Sequence, residues 1–203
     1  MESFHWNKSF ETGFSEVDQQ HHHLVELINK FGEMLTNNEV LFEDIERLYK
    51  DLSQYVQHHF FEEEAFMLRV GIDSRHLDSH ANRHCQFLNE VTSMHQAISP
   101  DNLGSAKNVL NYLTHWLAFH ILGTDQNMAR QIKSISTGLS SSEAYNLEEL
   151  QIDSSTEPLF VALNSLFEQV SARNKELVEL NQTLEEKVAD RTKALSEANR
   201  HLE

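Results

Sequence analysis

The run QHHFFEEEAFM, residues 57–67, sets histidine and glutamate one helical turn apart twice, as His58/Glu62 and His59/Glu63. Other stretches repeat the theme. His21-His22-His23 stand together early in the chain, His76, His80 and His84 recur every fourth residue, and His115, His120 and Asp125 complete the set. The chain holds 13 histidines but a single cysteine, Cys85, so a metal bound within one copy must be held by imidazole and carboxylate. That donor mixture suits iron, zinc, copper or nickel better than magnesium or calcium, and bridging carboxylates would favour two metals side by side. A lone histidine is ordinarily a surface or core-packing residue. One or two in each of four successive helices is a different pattern, because helix bundles build metal sites from side chains on facing helices.

Long helices are what must position these groups. Two prolines and six glycines in 203 residues are too few for a turn-rich β protein. Residues 1–16 lack a helical period and carry Trp6, Phe10 and Phe14, which reads as an arm that packs its aromatics onto the helices after it. From Asp18, Leu24, Leu27, Ile28, Phe31 and Leu35 follow three- and four-residue steps up to Asn37-Asn38. A second helix is expected from Leu41 to Val70, stopped by Gly71, and a third from Ser74 to Ile98, stopped by Ser99-Pro100. Asp101 is the expected N-cap of a fourth, running from Asn102 to Leu122 and onward to Ile135. The expected fold class is therefore all-α: an up-down-up-down four-helix bundle over residues 1–136.

Residues 137–158 are polar and Ser-rich and read as a linker or loosely held segment. Beyond them, over 159–203, Leu163, Phe167, Val170, Asn174, Leu177, Asn181, Leu184, Val188, Arg191, Leu195, Ala198 and Leu202 are spaced 4-3-4-3 without a break. This is a heptad seam with asparagine at two a positions, the pattern of a parallel homodimeric coiled coil. The alternative is a helix folded back on the bundle, for which a seam one stripe wide with polar flanks is narrow. The heptads still run at Glu203, so a further domain is expected after them. A formal net charge of −16 argues against nucleic acid and anionic membrane as partners. With no basic start followed by an apolar run, and no stretch long enough to span a bilayer, the expected location is the cytoplasm.

Four segments carry a family resemblance. WNKSFETGFSEVDQQH (Trp6 to His21), HFFEEEAFM (His59 to Met67), HANRHCQF (His80 to Phe87) and WLAFHILGTD (Trp116 to Asp125) are similar, in order, to the motifs of bacterial hemerythrins, the non-haem di-iron proteins that bind O2. The resemblance implies two iron ions per chain with an oxo or hydroxo bridge and O2 as ligand. His80, His84 and His120 would hold one iron, His21 and His59 the other, with Glu63 and Asp125 bridging. Tyr55, Phe60, Phe61, Phe66, Phe87, Trp116 and Phe119 would form a dry shell round the metals, of which Phe60, Trp116, Phe119 and Tyr55 are the pocket candidates.

Three features depart from the family's pattern or compete with it. Glu63 and His80 are two residues further apart than the family leads one to expect, which a longer turn around Gly71 would absorb, leaving His76 a bystander. His76/His80 is the competing ligand pair, but Phe87, three residues after His84, favours His80/His84 by the family's spacing. Asp125 follows His120 by five residues, which an unbroken α-helix would rotate off the face, and Gly123 is the residue that could loosen it. His22, His23, His58 and Glu62 are expected on the surface or supporting the ligands, His115, on a different face from His120, as a structural residue, and Cys85 as a packed thiol. The final stretch LNQTLEEKVADRTKALSEANRHLE resembles the connectors before histidine kinase or diguanylate cyclase domains of bacterial signalling proteins. The expected function is an O2 or redox sensor, not itself an enzyme, acting on a fused output domain, a diguanylate cyclase by preference. The alternatives are an O2 carrier, a di-iron enzyme of non-oxygenase type, and a zinc or iron-handling protein.

Overall fold

The computed structural model describes residues 4–36 and 40–151, together with isolated positions from Leu180 to Lys193. The chain divides into two units, Met1–Asp153 and Ser154–Glu203, and the histidine-rich segments all lie in the first. Among the described residues there is no strand. Helix α1 spans Ser15–Met34, α2 Phe42–Val70, α3 Ser74–His95 and α4 Ser105–Phe119. A π-helical turn, His120–Asp125, carries α4 directly into α5, Gln126–Ser136, and α6 follows at Ser141–Gln151. Helix α1 packs on α2 and α4, and α3 packs on the same two, which closes the four-helix arrangement expected from the sequence.

Apolar spacing decides which faces meet. Leu24, Ile28 and Phe31 of α1 and Ile45, Leu48, Leu52 and Val56 of α2 are buried at three- and four-residue steps. Each contributes roughly 1.5–3 kcal/mol relative to exposure. A second cluster, Met67, Ile72, Met128 and Ile132 with Phe14 and Phe66 against it, fills the region near the α2–α3 turn. The N-terminal arm behaves as its aromatics suggest: Phe10 is buried, and its ring lies 5.1 Å from Phe4 and 5.6 Å from Trp6. Asp18 fixes the arm's last turn by accepting from Thr12 N and Oγ1, both at 2.7 Å, and from Gly13 N at 3.1 Å. Gly13 takes φ 87°, where a side chain would be strained.

Several boundaries differ from expectation. Gly71 ends α2 in the left-handed conformation (φ 76°) and Asp73 caps α3 by accepting from Arg75 N, so the turn is only Gly71–Asp73. The turn between Glu63 and His80 is therefore short, not the lengthened one expected. Helix α3 ends at His95 rather than Ile98. Asp101 does not cap α4. Asn102 organises that corner, donating to Ala97 O (3.2 Å) and Ser105 Oγ (2.8 Å), and the helix starts at Ser105. Gly123 does not loosen a helix end, because the helix continues through it.

The Ser-rich stretch expected as linker contains α6. Ser140 and Glu143 form a reciprocal capping box, with Glu143 Oε2 accepting from Ser140 N (2.9 Å) and Glu143 N donating to Ser140 Oγ (3.3 Å). Arg130 of α5 donates to the buried Glu148 at 2.7 Å, while Arg75 of α3 reaches Ser142 and Asn146 and lies over the Tyr145 ring. Residues 152–179 and most positions after them lie outside the described ones, and with them nine of the twelve expected heptad positions; described positions between Leu180 and Lys193 are helical, with Leu184 and Val188 exposed. No helix of the described residues is long and apolar enough to cross a membrane.

Candidate metal centre

All seven residues expected as ligands meet at one place inside the bundle, each no more than 4% exposed. His21 comes from α1, His59 and Glu63 from α2, His80 and His84 from α3, and His120 and Asp125 from the two ends of the π turn. In α-geometry residues five apart sit about 140° apart round the axis. The wider π turn brings them back into line, and His120 Nε2 lies 3.1 Å from Asp125 Oδ1. The π turn therefore does what the sequence alone left to Gly123.

The donors form two groups joined by the carboxylates. His120 Nε2 is 2.9 Å from His84 Nε2 and 3.0 Å from His80 Nε2. Glu63 turns Oε2 toward His80 (3.1 Å) and His84 (3.5 Å), and Oε1 toward His21 at 4.0 Å. Asp125 does the same, with Oδ1 3.4 Å from His80 and Oδ2 3.2 Å from His21. His59 completes a group with His21 and Glu63, their ligand atoms all within 4.8 Å of one another. Each carboxylate thus faces the three-imidazole side with one oxygen and the His21/His59 side with the other.

Other side chains hold the far nitrogens of the rings. His59 Nδ1 is 2.8 Å from Gln20 Oε1, and His84 Nδ1 is 2.8 Å from Glu64 Oε1, so each ring donates there and presents Nε2 to the centre. His80 Nδ1 is 3.4 Å from His76 Nε2, and His76 Nδ1 is 3.0 Å from Gln131 Nε2. His76 is not a bystander: it is 7% exposed and packed against a candidate ligand. Sequence reasoning passes over Gln20, Glu64 and Gln131, since their partners lie on other helices; the only local signal is that Gln20 and Glu64 each adjoin a candidate ligand.

The aromatic shell is smaller than expected. Phe60 stacks on His84 with centroids 3.6 Å apart, Trp116 stacks on His120 at 4.2 Å, and Phe87 packs on Trp116 at 4.0 Å. Phe61 is 67% exposed and Phe66 packs on Phe14, so neither belongs to the shell. Tyr55 faces His23 and His58 on the outer side of α2, and Phe119 is half-buried. His22, His23, His58 and His115 are exposed, and Glu62 is half-buried. Cys85 is exposed too, not packed, because one residue beyond His84 turns it about 100° toward solvent.

Burial and the mixed charges shift these groups in opposite directions. Burial drives His59 down to about 3, and His76 and His120 down to about 4, holding them neutral. It acts the same way on His21 and His80, but is outweighed there by Asp125 and Glu63 respectively, and both are raised. Burial works to raise Glu63 and Asp125, yet the rings around them hold both below the usual carboxylate range. Even so the centre is not satisfied by its own contacts. His21 Nδ1 and Nε2, His59 Nε2, Glu63 Oε1 and both Asp125 oxygens are buried without a hydrogen-bond partner. Inward-facing ligand atoms left without partners are what a cation would satisfy. The imidazole spacing fits too, since a metal–nitrogen bond of about 2.0–2.1 Å puts nitrogens at right angles about 3 Å apart.

Comparison with known proteins points to one family of cation-binding domains. Residues 12–132 match the hemerythrin HHE cation binding domain. The chain is 29% identical over 126 residues to a bacteriohemerythrin of Clostridium acetobutylicum, a match covering 61% of this chain and 96% of that one. It is 28% identical to a myohemerythrin of Theromyzon tessulatum, over 61% of this chain and 89% of the relative. A hemerythrin-like protein of Naegleria gruberi is 28% identical, over 60% and 87% respectively. No solved structure matches the chain significantly.

Proposed function

The chain belongs to the hemerythrin HHE cation-binding family, and from that premise we propose that residues 1–136 form a non-haem di-iron domain that binds O2 and senses it. His80, His84 and His120 would hold one iron, His21 and His59 the other, and Glu63 and Asp125 would join the two. The observation that carries this reading is the orientation of the carboxylates, each with one oxygen toward either histidine group. A di-iron centre with an oxo or hydroxo bridge would supply O2 binding coupled to a change in its own oxidation state. The protein's part is to keep His59 and His120 neutral and ready as ligands, to hold the ring orientations through Gln20 and Glu64, and to exclude water with Phe60 and Trp116. Three imidazoles on one side and two on the other leave the His21/His59 side with fewer protein donors, and that is the side where O2 would bind. The His-rich set, with no Glu-x-x-His pair at 63 or 125, speaks against oxygenase chemistry.

A sensor needs a path from the site to an output. Helix α6 supports one, since it is fixed to α5 by Arg130–Glu148 and to α3 by Arg75, and leads in sequence to the heptad segment. Leu184 and Val188, both seam positions, are more than half exposed in the single chain, as a seam meant for a second copy would be. In this account 137–158 is a connector, 159–203 dimerises, and a fused output, a diguanylate cyclase by preference, responds to the state of the iron. Ligand state must then favour one helix arrangement over another. The second reading, an O2 carrier, draws on relatives that match only the bundle. Joining the chain to a diguanylate cyclase and assaying air-oxidised against anaerobically reduced protein separates the two. The sensor reading expects activities that differ severalfold; equal activities favour the carrier.

A further inference from the structure

We infer that His76 and Gln131 are positioning residues that decide whether His80 can act as a metal ligand, through a hydrogen-bond relay that reverses direction when metal binds. The inference rests on the reading of His80 as a ligand. The relay runs from Glu63 Oε2 to His80 Nε2 (3.1 Å), from His80 Nδ1 to His76 Nε2 (3.4 Å), and from His76 Nδ1 to the Gln131 amide (3.0 Å). Gln131 is 1% exposed and also meets Asn127 at 2.7 Å.

At a pH above the folded value of His80, which against burial Glu63 raises, both rings of the relay are neutral. A neutral imidazole has one donor and one acceptor nitrogen, so fixing one link fixes all of them. As found, the Gln131 nitrogen faces His76 Nδ1, which must accept. His76 then donates from Nε2 to His80 Nδ1, and His80 carries its proton on Nε2, pointing at Glu63. In that direction His80 has no lone pair to offer a metal. Gln131 Oε1 is meanwhile buried without a partner.

Turning the Gln131 amide by half a turn reverses every link. Its oxygen accepts from His76 Nδ1–H and, with the Asn127 amide turned likewise, from Asn127. His76 Nε2 accepts from His80 Nδ1–H, and His80 Nε2 is left with its lone pair toward the centre. Both rings stay neutral: one proton leaves at His80 Nε2 and one enters at His76 Nδ1. The turned amide N–H takes the unpartnered position, a cost that a metal–imidazole bond outweighs. The short Gly71–Asp73 turn lets α3 begin at Ser74, and its first turn sets His76 opposite Gln131 of α5.

The test uses the full chain with zinc for nuclear magnetic resonance and ferrous iron for affinity. In the zinc-loaded protein, nitrogen-15 spectra should show His76 and His80 protonated on Nδ1, and in the metal-free protein, at alkaline pH where His80 is neutral, on Nε2. Gln131→Met offers neither donor nor acceptor hydrogen and should weaken iron binding 10- to 100-fold in chelator competition, as loss of a ligand's outer partner does. Gln131→Glu can only accept, and should bind iron within a few fold of the unaltered chain. Should either variant fail to fold, judged by melting of the metal-free protein, the tautomer measurement decides alone. A zinc-loaded protein whose His76 keeps its proton on Nε2, or a folded Gln131→Met that binds iron normally, overturns the relay. An unaltered chain that takes up no metal sinks the site reading instead, and the relay with it.

Discussion

Glu62 and Glu63 stand one position apart on α2, and that position decides their chemistry. Glu63 is 1% exposed and faces His21, His80 and His84, whereas Glu62 is only half-buried and off that face. Glu63→Ala removes an oxygen from both sides of the centre, and metal content should fall from two ions per chain to one or none. Glu62→Ala should leave two. Metal analysis of the purified variants checks this, and an unchanged count in Glu63→Ala, or an equal loss in Glu62→Ala, would refute the assignment. The pair His59/Glu63 is legible in the sequence because helical spacing and the order of motifs both act along the chain. The supporting residues are not, because Gln20 meets His59 and Glu64 meets His84 across helix interfaces that spacing does not reveal. His76 passes for a bystander for the same reason, its partner Gln131 lying 55 residues away.

At the scale of elements, the π turn His120–Asp125 is the feature on which the site depends most. It absorbs one residue while keeping His120, Asp125 and the buried face of α5 in phase. An alanine inserted between Gly123 and Thr124 turns Asp125 by about 100° and should cost the protein at least one metal ion. Deleting Gly123 gives a four-residue spacing that an ordinary α-turn keeps on one face, and should preserve both ions. Metal content and melting temperature of the two variants check this; an insertion variant with full metal would contradict it. The five-residue gap is visible in the sequence but not how it is accommodated, since π and loosened helix ends share the same local residues. Helix α6 shows the opposite failing. The capping box Ser140/Glu143 is there to be read, but a Ser-rich composition argues for linker, and the buried Glu148–Arg130 pair that anchors the helix depends on α5.

For the whole molecule, charge balance inside the bundle sets how the metal-free protein responds to pH. His59, His76 and His120 are held near 3, 4 and 4, against 6.5 when unfolded, so the unfolded chain binds more protons than the folded one in that range. Their contribution to stability is complete above about pH 6.5 and is lost as the pH falls toward 4. Glu63 and Asp125, held low, add a loss in the same direction below about 4.5. His21 and His80 are raised, so their contribution is complete below about 6.5 and lost as the pH rises through their folded values. Metal-free protein should therefore melt at its highest temperature near pH 6.5 and at lower temperature on either side. A melting temperature that climbs steadily from pH 6.5 to 4 would contradict the charge assignment. The bundle is legible from apolar periodicity because long helices joined by short turns leave few alternatives, whereas most of the heptad segment lies outside the described residues. The central claim, a di-iron centre that responds to O2, is tested most directly by counting metals in the purified chain and recording its absorption in air and after anaerobic reduction. The account predicts two irons per chain and charge-transfer bands that vanish on reduction and return with O2; a protein with zinc alone, with no metal, or with a spectrum indifferent to O2 would contradict it.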